Sequence, residues 1–260
     1  MTPYIAVSDT ARPDTARPDT ARPDTANRTL RWERTMPHSS RVVLAAAGVT
    51  LLALLASGCA GPTPPAEAKP AAAPLVARPV LPVGQVDPMI AEGVLIGANQ
   101  PVYQTSGVGP KKLNTAAPDG SPESYIDPEQ FTGGALGPGV SITEAQAMNT
   151  LARVRENLET QGLSLENVTS MQVFLDNPPG ADRADYAGWN RAYRQFFANT
   201  NLTSGDTTLE PLGSAPPAAP VVRNPARPTR STFEVQSLAA PGWLVEIEVD
   251  AVYPAGQHPR

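Results

Sequence analysis

Hydrophobic and polar positions alternate most regularly near the C terminus. There Val245, Ile247, Val249 and Ala251 interleave with Glu246, Glu248 and Asp250. A period of two predicts a strand with one apolar face and three carboxylates in a row on the other. The run from Pro228 to Val235 reads as a neighbouring strand, and its Arg230 is the nearest cation in sequence to compensate that acidic stripe. An arginine facing a carboxylate is the beginning of a binding or catalytic pair, and equally of a plain inter-strand ion pair. Val168 to Leu175 reads as a further strand, and Val94–Ile96 with Val102–Ser106 as an opening hairpin.

Two segments follow helical spacing instead. Ser141-Ile-Thr-Glu144 forms a capping box, Ala145, Met148, Leu151, Ala152, Arg155 and Leu158 follow at helical spacing, and Gly162 stands at the C-terminal cap. A second helix is predicted from about Asp182 to Asn199, with Tyr186, Trp189, Tyr193, Phe196 and Phe197 along one seam. Such a seam reads as packing against a sheet. The order of two strands, helix, strand, helix and two strands predicts an α+β sandwich with two helices on one face of the sheet.

Two stretches interrupt this pattern. Residues 107–140 carry many glycines and prolines, a long loop of the kind that is functional or mobile. Residues 199–229 hold Pro211, Pro216, Pro217, Pro220, Pro225 and Pro228 without apolar periodicity, which predicts a surface segment leading straight into Arg230.

Ahead of the globular part the chain changes character. Thr-Ala-Arg-Pro-Asp repeats three times over residues 10–25, a run with no apolar residue larger than alanine apart from its prolines, and residues 1–35 read as a repetitive extension upstream of an initiator at Met36. From Met36 to residue 58 a basic residue, Arg41, precedes the apolar run Val42–Ala56, the pattern of a signal peptide. Leu-Ala-Ser-Gly-Cys then resembles a bacterial lipobox, so Cys59 is the expected lipidation site, with Ala60 after it favouring the outer membrane of a Gram-negative bacterium. Several acyl chains on one residue anchor stably where one does not. Residues 59–82 are rich in proline and alanine and read as a semi-rigid tether, with the folded domain from about 83 to 255.

Composition narrows the chemistry. A net charge of −5 lacks the positive footprint that phosphate contacts require, which argues against a nucleic-acid partner. Cys59 is the single cysteine, so no intramolecular disulfide or cysteine-based metal cluster forms. The two histidines, His38 and His258, lie near segments expected to be removed or frayed, which leaves only carboxylates for metal chemistry; no metal or cofactor is expected.

Four pieces then resemble, in the correct order, the RidA (YjgF/YER057c/UK114) family. They are Thr105-Ser-Gly-Val-Gly-Pro110, Gly162-Leu163 through Val173-Phe-Leu175, Asp185-Tyr-Ala-Gly-Trp-Asn190-Arg-Ala-Tyr193-Arg-Gln-Phe-Phe197, and Arg230-Ser-x-x-x-Val235 followed by the Glu246-Ile-Glu248 strand. The resemblance spans roughly residues 90 to 253. It implies a chorismate-mutase-like sandwich with one mainly antiparallel sheet, a homotrimer with ligand clefts between subunits, and hydrolysis of reactive 2-imino acids to 2-oxo acids and ammonia. Carried over, Arg230 would hold the substrate carboxylate, Glu246 would activate water, Gly107 and Thr232 would supply backbone contacts, and Asn190 would stand near the pocket, although off the aromatic seam it also suits plain solvation. A trimeric module that binds small carboxylates at the cell envelope without catalysis is the competing expectation.

Overall fold

The computed structural model describes residues 76–259. The repeats, the signal-peptide pattern, Cys59 and most of the tether lie outside them. In chain order the elements are β1 (Ala77–Val80), β2 (Gly93–Ile96), β3 (Val102–Gln104), α1 (Ile142–Thr160), β4 (Val168–Leu175), α2 (Tyr186–Arg194), β5 (Thr229–Glu234) and β6 (Val245–Val252). The main sheet has the order β3-β6-β4-β5, antiparallel except for the parallel pair β4 and β5. It is an α+β fold with two helices packed on a mainly antiparallel sheet, as the alternation predicts.

The opening hairpin is not formed. β2 pairs antiparallel with β1, whereas β3 pairs with β6. Between β2 and β3, Asn99 adopts a left-handed backbone (φ 61°) and Pro101 offers no amide, so the chain turns away instead of folding back on β2. β1 lies inside the segment whose composition reads as tether. Pro79 is accommodated there because β1 is an edge strand of its two-stranded ribbon.

α1 starts where the sequence places it. Ser141 Oγ accepts the Glu144 amide at 3.0 Å. At the other end Gly162 is left-handed (φ 74°), and the Leu163 amide reaches the Leu158 carbonyl at 3.0 Å in a Schellman closure. The second half of the capping box is absent, because the Glu144 carboxylate is used elsewhere. It is fully buried, receives Arg191 Nη2 at 2.6 Å and accepts the Gly213 amide at 2.9 Å. α2 is shorter than its apolar seam suggests. Asp185 caps it by accepting the Gly188 amide at 2.8 Å, and past Arg194 the chain tightens into turns that end at Ala198, left-handed at φ 56°.

The core lies between the helices and one sheet face. Met171, Val173 and Leu175 of β4 and Val245, Ile247, Val249 and Ala251 of β6 are buried against Leu151, Val154, Trp189, Tyr193, Phe196 and Phe197. Burying one large apolar side chain is worth about 1.5–3 kcal/mol, so this cluster dominates stability.

Both interrupting stretches are pinned to the core at a few points, although much of 199–229 runs over the surface as predicted. Ile126 and Phe131 from 107–140 form a second apolar cluster with Ala145, and Leu212 from 199–229 packs against both clusters. Polar side chains do the rest. On α1, Gln146 donates to the Pro122 and Gly242 carbonyls at 3.0 and 2.7 Å, and Asn149 donates to the Lys111 and Tyr125 carbonyls at 2.8 Å. In the second stretch the buried Asn224 accepts the Ala226 amide at 2.8 Å and donates to the Phe196 carbonyl at 3.0 Å. The buried Arg227 binds Asp87 Oδ1 and the Pro88 carbonyl, each at 2.6 Å. Proline lowers the entropy of the unfolded chain, so such a segment folds with few apolar contacts once its polar groups are satisfied.

Candidate functional site

The register decides where the expected site residues stand. Arg230 pairs with Met171 and Thr232 with Val173, so both point to the helix side of β5. Glu246 pairs with Phe174, which points the other way. β4 therefore separates Arg230 from Glu246, and the two side chains leave the sheet from opposite faces. The expectation that Arg230 compensates the acidic stripe as its cross-strand neighbour is corrected by this register, and no ion pair joins them.

Two half-sites result. In the first, Arg230 Nη2 donates to Asn190 Oδ1 at 2.8 Å, and the guanidinium carbon stands 4.4 Å from the Tyr193 ring centroid and 5.7 Å from that of Trp189. These are cation–π distances. Asn190 is thus turned toward Arg230 and is not a solvated bystander. Among the described residues no carboxylate pairs with Arg230, and its Nη1 is covered without a hydrogen-bond partner. Burial lowers its pKa, opposed by the nearby Tyr193. The Tyr193 phenol is itself pushed up to about 12 by burial and donates to the Met89 carbonyl at 3.0 Å, so it is uncharged at neutral pH and leaves the arginine charge uncancelled. Thr232 is half-buried on the same side of the strand.

In the second, Gly107 abuts Glu246, and a Cβ at Gly107 would collide with Glu246 Oε1. The loop is fixed there because Val108 and Ile247 exchange backbone hydrogen bonds at 2.9 Å in both directions. Glu246 is half-buried, and burial first, then the like charge of Glu248, raises its pKa above the usual carboxylate range. A shallow cavity of about 270 Å³ opens on its other flank, walled by Phe174, Leu238 and Ala239.

The structure thus joins Arg230 with Asn190, and Glu246 with Gly107, but does not join the two halves in one chain. Cys59 lies outside the described residues. Among those residues no three His, Cys, Asp or Glu side chains gather as a metal site. Sequence reasoning treated Tyr193 and Trp189 as packing only; the signal for their second role was Asn190 lying next to Trp189 and three residues before Tyr193.

Residues 132–253 match the family model described as endoribonuclease L-PSP. Similar solved structures include a Rid-family protein of unknown function from Yersinia pestis, 18% identical, covering 69% of this chain and 100% of that one, with a TM-score of 0.39. A YjgF/YER057c/UK114 family member from Mycobacterium tuberculosis is 18% identical over 68% of this chain and 99% of its own, with a TM-score of 0.32. TdcF from E. coli, solved with bound serine, is 20% identical over 68% of this chain and 100% of its own, with a TM-score of 0.33. No curated protein matches the chain.

Proposed function

We propose that the protein hydrolyses reactive 2-imino acids to 2-oxo acids and ammonia, as a homotrimer in which Arg230 of one subunit and Glu246 of the next close on one cleft. The observation that carries this reading is the positively charged guanidinium of Arg230, held by Asn190 and stacked on neutral Tyr193 with no carboxylate partner among the described residues. A fixed, uncompensated cation of this kind suits a substrate carboxylate. In the reaction Glu246 takes a proton from water as the oxygen attacks the carbon of the protonated imine, giving a neutral carbinolamine. Glu246 then passes that proton to the amine nitrogen, the C–N bond breaks to release ammonia, and the hydroxyl proton leaves as the C=O bond forms, to be carried off by ammonia as ammonium. Water is the only co-reactant and no redox change occurs. The net charge of −5 and the acidic stripe beside Glu246 oppose an RNA substrate.

Ammonia release from enzymatically generated imines by the purified protein tests this reading. Turnover is expected, with an acidic limb of kcat/KM above the usual carboxylate range because Glu246 works as a base only when deprotonated and its pKa is raised. Since Glu248 contributes to that rise, Glu248→Gln is expected to move the limb to lower pH. An unmoved limb would assign it to another group, and saturable binding of 2-oxo acids without turnover would identify a carboxylate-binding module.

We also propose that the protein is periplasmic and held to the outer membrane through Cys59, on the strength of the lipobox-like sequence. Cys59→Ser is expected to shift it from the membrane to the soluble fraction and to abolish incorporation of labelled fatty acid. Equal membrane recovery of both forms without label would refute the anchor.

A further inference from the structure

A cleft on the outer side of α1 is built by the two stretches that break the hydrophobic pattern. Segment 107–140 forms one wall, Val221 of segment 199–229 closes another, and the cavity measures about 570 Å³, ample for a small ligand. Neither Arg230 nor Glu246 lines it. Its floor is apolar, made by Met148 and Ala152 of α1 with Phe196. Met148 and Phe196 are each only 1% exposed, so the floor is the roof of the core and is rigidly placed.

The charges around this floor are of both signs and unevenly satisfied. Arg153, from α1, donates Nη1 to the Gly109 carbonyl at 2.9 Å and makes no ion pair among the described residues. Asp127 and Glu129, from the facing segment, also make none there. Asp127 Oδ1 caps the Glu129 amide at 2.9 Å, which holds that turn in place. Lys111 and Glu156, also at the cleft, pair with each other and cancel. What remains is a cation on the helix wall, carboxylates on the insertion wall and apolar surface between them.

We infer that this cleft is a second binding site, specific for a free α-amino acid with an apolar side chain. The ligand carboxylate pairs with Arg153, its ammonium group with Asp127 and Glu129, and its side chain rests on Met148, Ala152, Phe196 and Val221. A simple anion meets repulsion from Asp127 and Glu129, and a simple cation from Arg153. Only a zwitterion satisfies both walls.

Calorimetric titration of the protein with L-leucine tests the site. Saturable binding is expected, weakened at least about tenfold in Arg153→Gln and in the double variant Asp127→Asn, Glu129→Gln. Glu129 is exposed, and Arg153 and Asp127 are half-buried and outside the apolar core, so the variants are expected to fold. 4-Methylpentanoate, which lacks the ammonium group, and L-leucinamide, which lacks the carboxylate, are each expected to bind at least about tenfold more weakly than leucine. Arg230→Ala is expected to bind leucine as wild type does, which separates this site from the one proposed for imino acids. Absence of leucine binding, equal affinity for leucinamide, insensitivity to the Arg153 and Asp127/Glu129 changes, or loss of binding in Arg230→Ala would each overturn the inference.

Discussion

Replacing Glu144 by alanine is expected to lower folding stability by about 3 kcal/mol, the lower part of the range for breaking a buried ion pair, because Arg191 keeps some access to water. The Glu144 side chain has no exposure and Arg191 is 27% exposed; their pair is supplemented by the Gly213 amide at 2.9 Å. Removal strands a guanidinium and an amide together. Because Glu144 joins α1, α2 and the second insertion, the loss is expected to be cooperative. The midpoint of urea unfolding is expected to fall with the slope unchanged, and Glu144→Gln, which retains an acceptor for Gly213, is expected to lose less. Equal loss in both variants would show that the charge alone matters.

The second large effect separates the two half-sites. Arg230→Ala is expected to weaken binding of a stable 2-oxo acid by about 2–5 kcal/mol, at least about 30-fold, since one charge-assisted, partly desolvated contact is lost. Arg230→Lys is expected to recover little, because an ammonium group cannot reproduce both the Asn190 hydrogen bond and the flat stacking on Tyr193. Glu246→Gln is expected to bind the 2-oxo acid nearly as well as wild type and to lose turnover. Calorimetry and ammonia release on the same samples distinguish the two.

The strands and helices were legible in the sequence wherever one periodicity governed a whole segment. β4 is bounded as predicted, and the alternation in β6 places Glu246, Glu248 and Asp250 on the face away from the helices. The two interrupting stretches were not legible, because what holds them is buried polar side chains of α1, Gln146, Asn149 and Glu144, the last paired with the half-buried Arg191 of α2. A hydrophobicity pattern reads such residues as solvent-facing. The site residues could be named, but not their mutual placement. Whether Arg230 and Glu246 share a face depends on the register of β5 and β6 against β4, and two strands distant in sequence do not specify which strand lies between them.

That opposite-face placement makes the central claim unusual in being testable by mixing two inactive proteins. Arg230→Ala and Glu246→Gln are each expected to lose imine hydrolysis, and co-assembly of equal amounts is expected to restore about a quarter of wild-type activity, the statistical share of clefts that combine an intact Arg230 from one subunit with an intact Glu246 from its neighbour. If co-assembled oligomers of the two variants recover no activity while wild type turns over imines, the two groups do not act across a shared cleft and the account is wrong.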